Sequence, residues 1–181
     1  MPTVFISPSA QEFNSYVFGG SEEYYMNLIA DAMVPYLRAS GIGFTRNNPN
    51  TTLSQIIAQS NAGNYDLHLA LHSNASPENI AGTLQGPDVY YYAYSSPGQT
   101  AANIIANNLK DIYPNPNLVA VIPNTTLAEL RTTRATAVLA EIAYHDNLED
   151  ATWIRDNIDA IAKNLSLSVA EYFGVPFVEP T

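Results

Sequence analysis

A few side chains in this sequence are placed where they could do chemistry. His72 closes Asp66-Leu-His-Leu-Ala-Leu-His72, an alternating run with Leu67, Leu69 and Leu71 on one face and His68, Ala70 and His72 on the other. Glu141 interrupts Ala137-Val-Leu-Ala-Glu-Ile-Ala-Tyr144, the most apolar run in the chain. A buried, unpaired carboxylate is costly, so Glu141 must meet a cation such as Arg131 or Arg134, carry a proton, or reach a solvated strand end. Glu22 and Glu23 open a helix, where the macrodipole alone favours acids, and His145 lies just past Glu141. Histidine and glutamate ligands with a second glutamate as general base form the donor set of a hydrolytic zinc site. Strand rise separates His68 from His72 by ~13 Å, so the two cannot share one ion, and His68 reads as a hydrogen-bonded core residue.

Composition narrows the chemistry further. The 181 residues are 46% hydrophobic and only 13% charged, enough for one domain with a substantial core. Without cysteine there is no disulfide, thiolate nucleophile or Cys-ligated metal. Seventeen acidic against seven basic side chains give a net charge of −10, which excludes the clustered cations of a nucleic-acid groove. No run approaches the roughly 20 apolar residues of a membrane span. The start, Met1-Pro-Thr-Val-Phe-Ile-Ser-Pro8, has neither the basic region nor the apolar core of a signal peptide.

The candidates must be positioned by alternating strands and helices. Short β-branched or apolar runs predict strands at Thr3 to Ile6, Gly43 to Arg46, Asp66 to His72, Val89 to Tyr94 and Ala137 to Tyr144; Leu118 to Ile122 reads as a strand or a loop. Met26, Ile29, Ala30, Met33 and Leu37 recur at helical spacing in a helix from Ser21 to Ser40, which Pro35 should kink or loosen. Further helices are expected from Leu53 to Gly63 and from Gln99 to Tyr113. A last one, opened by Asn147 and Asp150, carries Ile154, Ile158, Ile161, Leu165 and Tyr172 and stops at Gly174 and Pro176. This order predicts an α/β three-layer sandwich, with a mostly parallel central sheet and helices on both faces, whose ligands bind beyond the carboxyl ends of the strands. Residues 1–175 form the domain, and residues 176–181 a tail or the start of a linker.

With the motifs placed, the chain resembles the zinc-dependent N-acetylmuramoyl-L-alanine amidases of bacterial cell-wall turnover. The similarity runs from Val4 to about Phe173 and is carried by Gly20-Ser-Glu-Glu-Tyr-Tyr-Met-Asn27, Gly41-Ile-Gly-Phe-Thr-Arg46, Ser60-Asn61, Asp66 to Ala75, Leu130-Arg131 with Ala137 to Glu141, and Tyr144-His-Asp-Asn147. It implies zinc held by Glu23 and His72, Glu141 as the catalytic acid–base, and substrate contacts from Asn74 and Arg131. The family's first strand ends in Asp-Pro-Gly-His, whose histidine is a ligand, whereas here Ser7-Pro-Ser-Ala-Gln-Glu-Phe-Asn14 puts Ala10 or Gln11 in its place. Three outcomes follow: His145 swings in, Gln11 or Glu12 coordinates, or the metal is lost. A weakened or rearranged site is the reading taken, because Glu23 and Glu141 facing each other without a cation would be uncompensated.

The implied activity is hydrolysis of the amide between the N-acetylmuramic acid lactyl group and L-alanine, with the peptidoglycan stem peptide and glycan as partners and a monomer as the acting form. The alternative is a catalytically silent amidase fold that binds peptidoglycan or a partner. Tyr90 to Tyr92 and Tyr94 could wall the cleft for a glycan or simply pack. The expected place of action is the cell wall, reached outside the cell, by release on lysis or sporulation, or after trimming from an exported parent.

Overall fold

The computed structural model describes all 181 residues. Six strands and six α-helices follow in the order β1 (Thr3–Pro8), α1 (Glu22–Ala39), β2 (Gly43–Arg46), α2 (Leu53–Ala62), β3 (Leu67–Asn74), β4 (Asp88–Tyr92), α3 (Ser96–Ile112), β5 (Ala120–Asn124), α4 (Ala128–Arg131), β6 (Ala137–Tyr144), α5 (Leu148–Asp156) and α6 (Ile158–Phe173). No helix is long and apolar enough to cross a membrane.

The strands form one sheet in the order β2-β1-β3-β6-β4-β5. β1 to β3 and β6 run parallel, and β5 runs parallel to β4, but β4 meets β6 antiparallel. The sheet is therefore mixed at one place, and that place matters. Reversing β4 sets its first residue, Asp88, opposite Glu141, and sets Tyr91 opposite Val138. Tyr92 and Tyr94 consequently lie toward the edge of the sheet away from Glu141, so they do not wall the same cleft.

The two sheet faces are covered unequally. Val4, Ile6, Leu67, Leu69, Leu71, Val138, Ala140 and Ile142 join Met26, Ile29, Met33, Ile105, Leu109, Ile161 and Leu165 in the main core beneath α1, α3 and α6. The opposite face has a small cluster of Ala70, Leu130, Ala137 and Leu139, with Tyr90, Tyr92 and Leu127 packed on it. His68, Ala70 and His72 alternate onto this thinner side, as their spacing predicts.

Local signals set most helix ends. Ser21 accepts from the Tyr24 N–H, Thr52 and Gln55 form a capping box, Asn147 accepts from the Asp150 N–H, and Gly174 takes a left-handed conformation after α6. α1 holds Pro35 inside it, where only one amide hydrogen is lost while Met33, Tyr36 and Leu37 remain anchored in the core. One expectation changes. The last helix is two: the chain breaks at Asn157, whose side-chain amide donates to the Trp153 carbonyl and satisfies an end group of α5.

Candidate active site

β3 and β6 lie side by side with His72 in register with Glu141, and the ladder becomes irregular just after His72. The amino end of α1 reaches the same sheet edge. There the carboxylate that meets His72 is Glu22 and not Glu23: Glu22 is 1% exposed, with its Oε1 accepting from His72 Nδ1 at 2.9 Å. Glu23 is half-buried and its side chain makes no hydrogen bond or ion pair; only its backbone carbonyl is engaged, by Asn27. Helical phase explains the difference. Glu22 lies four residues before Met26 and seven before Ile29, on the apolar stripe, whereas Glu23 is rotated about 100° away. Gly20 makes the turn into this helix at φ +83°, where a Cβ would come 2.7 Å from the Tyr25 ring.

A residue given no role by sequence reasoning completes the cluster. Glu129, on the single turn α4, is 4% exposed and divides its oxygens between two histidines: Oε2 accepts from His68 Nε2 at 2.6 Å, and Oε1 accepts from His72 Nε2 at 3.4 Å. His68 is fully buried, stacks on Phe5, and meets Ser60 Oγ through Nδ1 at 2.9 Å. At the other end, the Asn14 side-chain amide donates to both Glu22 Oε2 and Gln11 Oε1, each at 2.7 Å. Seven side chains thus form one hydrogen-bonded line, Ser60-His68-Glu129-His72-Glu22-Asn14-Gln11.

The electrostatics follow from who has a partner. Burial alone would neutralise His72, but the hydrogen bonds it donates to Glu129 and Glu22 and the charge of Glu141 outweigh it and lift its pKa to about 10. Glu129 is held down at about 2 by its two histidines against the opposing effect of burial. Glu22 is also lowered: burial is overcome by the hydrogen bond and charge of His72 and by Asn14. Glu141 is different. Burial raises it to about 7, the His72 charge offsets this only in part, and Glu22 and Asp88 add repulsion. Its Oε2 is buried without a hydrogen-bond partner, and it pairs with neither Arg131 nor Arg134.

Two adjoining hollows share Gln11, His72 and Glu141. The larger, about 360 Å³, runs past Phe13, Leu53 and Leu127; the smaller includes Asn14, Glu22, Ser73, Asn74 and His145. Asn74 reaches Asp88 at 3.4 Å, and Asp88 also accepts from the Tyr144 hydroxyl at 3.2 Å. His145 meets Ser73 Oγ at 2.9 Å, stacks on Tyr16, and has its pKa lowered chiefly by burial. Glu12 and Arg131 are exposed and join no part of the cluster.

Donor chemistry tests whether a zinc ion suits these residues. His72 Nδ1 and Glu22 Oε1 converge, and the second ring nitrogen of His72 is held by a carboxylate, the usual arrangement behind a metal-bound histidine. Glu141, whose Oε2 is buried and unpartnered, lines the same hollows. No group of three His, Asp or Glu side chains is gathered to hold one ion. The Gln11 amide oxygen is joined to Glu22 through one Asn14 nitrogen, and His145 has one ring nitrogen occupied by Ser73. The donors that converge are one imidazole and one carboxylate, with an amide oxygen linked to the carboxylate through Asn14.

Comparison with known proteins bears on the family and the fold. A sequence profile of the family described as N-acetylmuramoyl-L-alanine amidase matches residues 11–171. No curated protein matches the chain. Among solved structures, the amidase AmiC2 of Nostoc punctiforme superposes with a TM-score of 0.83 at 17% identity, covering 96% of this chain and 97% of that one. The catalytic domain of CwlV from Paenibacillus polymyxa gives 0.82 at 16% identity over 97% and 100%. The catalytic domain of the CD27L endolysin, which targets Clostridium difficile, gives 0.77 at 24% over 94% and 98%. These structures establish the shared fold.

Proposed function

Because the chain belongs to the N-acetylmuramoyl-L-alanine amidase family, whose members hydrolyse peptidoglycan, we propose that it cleaves the amide between the lactyl group of N-acetylmuramic acid and L-alanine, with Glu141 as the proton carrier. The observation that carries this reading is the buried, unpartnered Oε2 of Glu141 beside the His72–Glu22 pair. A carboxyl group with a pKa near 7 can both take a proton from attacking water and return it to the leaving amine of L-alanine. Zinc on His72 and Glu22, with the Gln11 amide oxygen as third protein donor, would supply polarisation of the scissile carbonyl and acidification of water. Asn14 holds Gln11 and Glu22 in place for this, and Asn74 steadies Asp88, whose charge helps keep the Glu141 proton affinity high. The place of action is the bacterial cell wall, where this amide occurs.

The test is digestion of defined muropeptides by the purified chain with added zinc, read by mass spectrometry of the freed stem peptide. Release that Glu141→Gln abolishes is the expected result. Binding of muropeptides without release at any zinc concentration would replace the amidase reading with a silent binding fold.

A further inference from the structure

We propose that Glu129 is a positioning residue for the active site: it anchors the back of the His72 ring to the core and leaves Nδ1 facing Glu22. The inference rests on the metal reading above and adds to it a residue outside the matching motifs. Its two oxygens have different tasks. Oε2 is tied at 2.6 Å to His68, a fully buried ring stacked on Phe5 and joined to Ser60, so this end is fastened to the sheet and to α2. Oε1 accepts from His72 Nε2. The two nitrogens of one imidazole point in different directions, so a carboxylate on Nε2 cannot share an ion with the carboxylate on Nδ1.

Which carboxylate is inner and which outer is settled by their surroundings. Glu22 lines the smaller hollow with Gln11, Asn14 and Glu141 and is joined to the candidate third donor through Asn14. Glu129 lines only the larger hollow, and its Oε2 is taken up by His68 behind it, so it lacks the link to Asn14 and Gln11 that Glu22 has. A fixed acceptor on Nε2 selects one ring orientation and one tautomer and makes the opposite nitrogen a better donor. This matters more here than in a site with three strong ligands, because an amide oxygen replaces one of them.

The experiment compares wild type, Glu129→Gln and Glu129→Ala as full chains. Glutamine keeps the shape but offers one oxygen for two histidines. Zinc affinity is measured by competition with a chromophoric chelator, the ligand field by the visible spectrum of the cobalt-loaded protein, and folding by circular dichroism. The expected result is a loss of zinc affinity of about 10-fold for Glu129→Gln and up to about 100-fold for Glu129→Ala, with an altered cobalt spectrum in a folded protein. Affinities within twofold of wild type would overturn the proposal, whatever the change in melting temperature. If wild type takes up no zinc, the metal reading fails, and the metal-free ring still decides about Glu129. Its Nε2–H proton, assigned with His72→Asn, should be protected from exchange in wild type and lose protection in both variants; unchanged protection overturns the anchoring role.

Discussion

Glu129 and Glu141 line the same cleft and are both withdrawn from water, yet one is held down at about 2 and the other pushed up to about 7. Burial acts on both in the same direction, so it cannot be the cause of the difference. The cause is the company each carboxylate keeps. Glu129 has an N–H donor on each oxygen, whereas Glu141 has one buried oxygen without a partner and faces the charges of Glu22 and Asp88. One site thus contains a carboxylate suited to hold a ring still and another suited to move a proton.

The widest separation between the two should appear in activity. Glu141→Gln is expected to lower kcat by about 10²–10⁴-fold, measured as stem-peptide release, while leaving the melting temperature unchanged or higher because it removes a poorly solvated acid. Stability should show the reverse. Glu129→Ala breaks a buried charged network and is expected to cost about 3–5 kcal/mol in urea unfolding, and an equal loss in Glu141→Gln would erase the contrast. The neighbouring pair Glu22 and Glu23 sharpens it. Glu22→Ala should weaken zinc binding by more than the roughly 10–100-fold typical of an outer partner, while Glu23→Ala leaves chelator competition unchanged.

Acidity separates the carboxylates again in the metal-free protein. Glu129 and Glu22 have lowered pKa values, so their stabilisation is present above about 4.5 and is lost as pH falls, for Glu129 through about 2. Glu141 has a raised pKa, so its contribution is present below about 4.5 and is lost as pH rises through about 7; His72, also raised, loses its contribution through about 10. Urea midpoints measured across pH should therefore fall between 5 and 8 in wild type by more than in Glu141→Gln. The smallest effect belongs to a paired carboxylate in water. Asp156 meets Arg155 on the surface, and Asp156→Asn should leave the melting temperature unaltered, which would show that a partner matters only where solvent is excluded.

Much of this molecule was legible along the chain because short-range rules decide it. The alternation of Leu67, Leu69 and Leu71 with His68, Ala70 and His72 sorted the strand's two faces, the cap at Asn147 set a helix start, and the carboxylate in the most apolar strand marked Glu141. Glu22 was also legible in principle, since its heptad phase with Met26, Ile29 and Met33 points it inward; the motif comparison shifted the expectation by one residue to Glu23. Glu129 left no such sign, because a helix of one turn is too short to show a period. The antiparallel direction of β4, which sets Asp88 opposite Glu141 and carries Tyr92 and Tyr94 away from it, was likewise not written in local pattern. The sequence by itself determined the elements, the face each strand buries and the types of group available for catalysis, because these depend on periodicity and side-chain chemistry. The tertiary structure alone decided which carboxylates meet a histidine, and hence which holds a proton near neutrality, because that depends on distances between residues as far apart in the chain as Glu22, His72, Glu129 and Glu141.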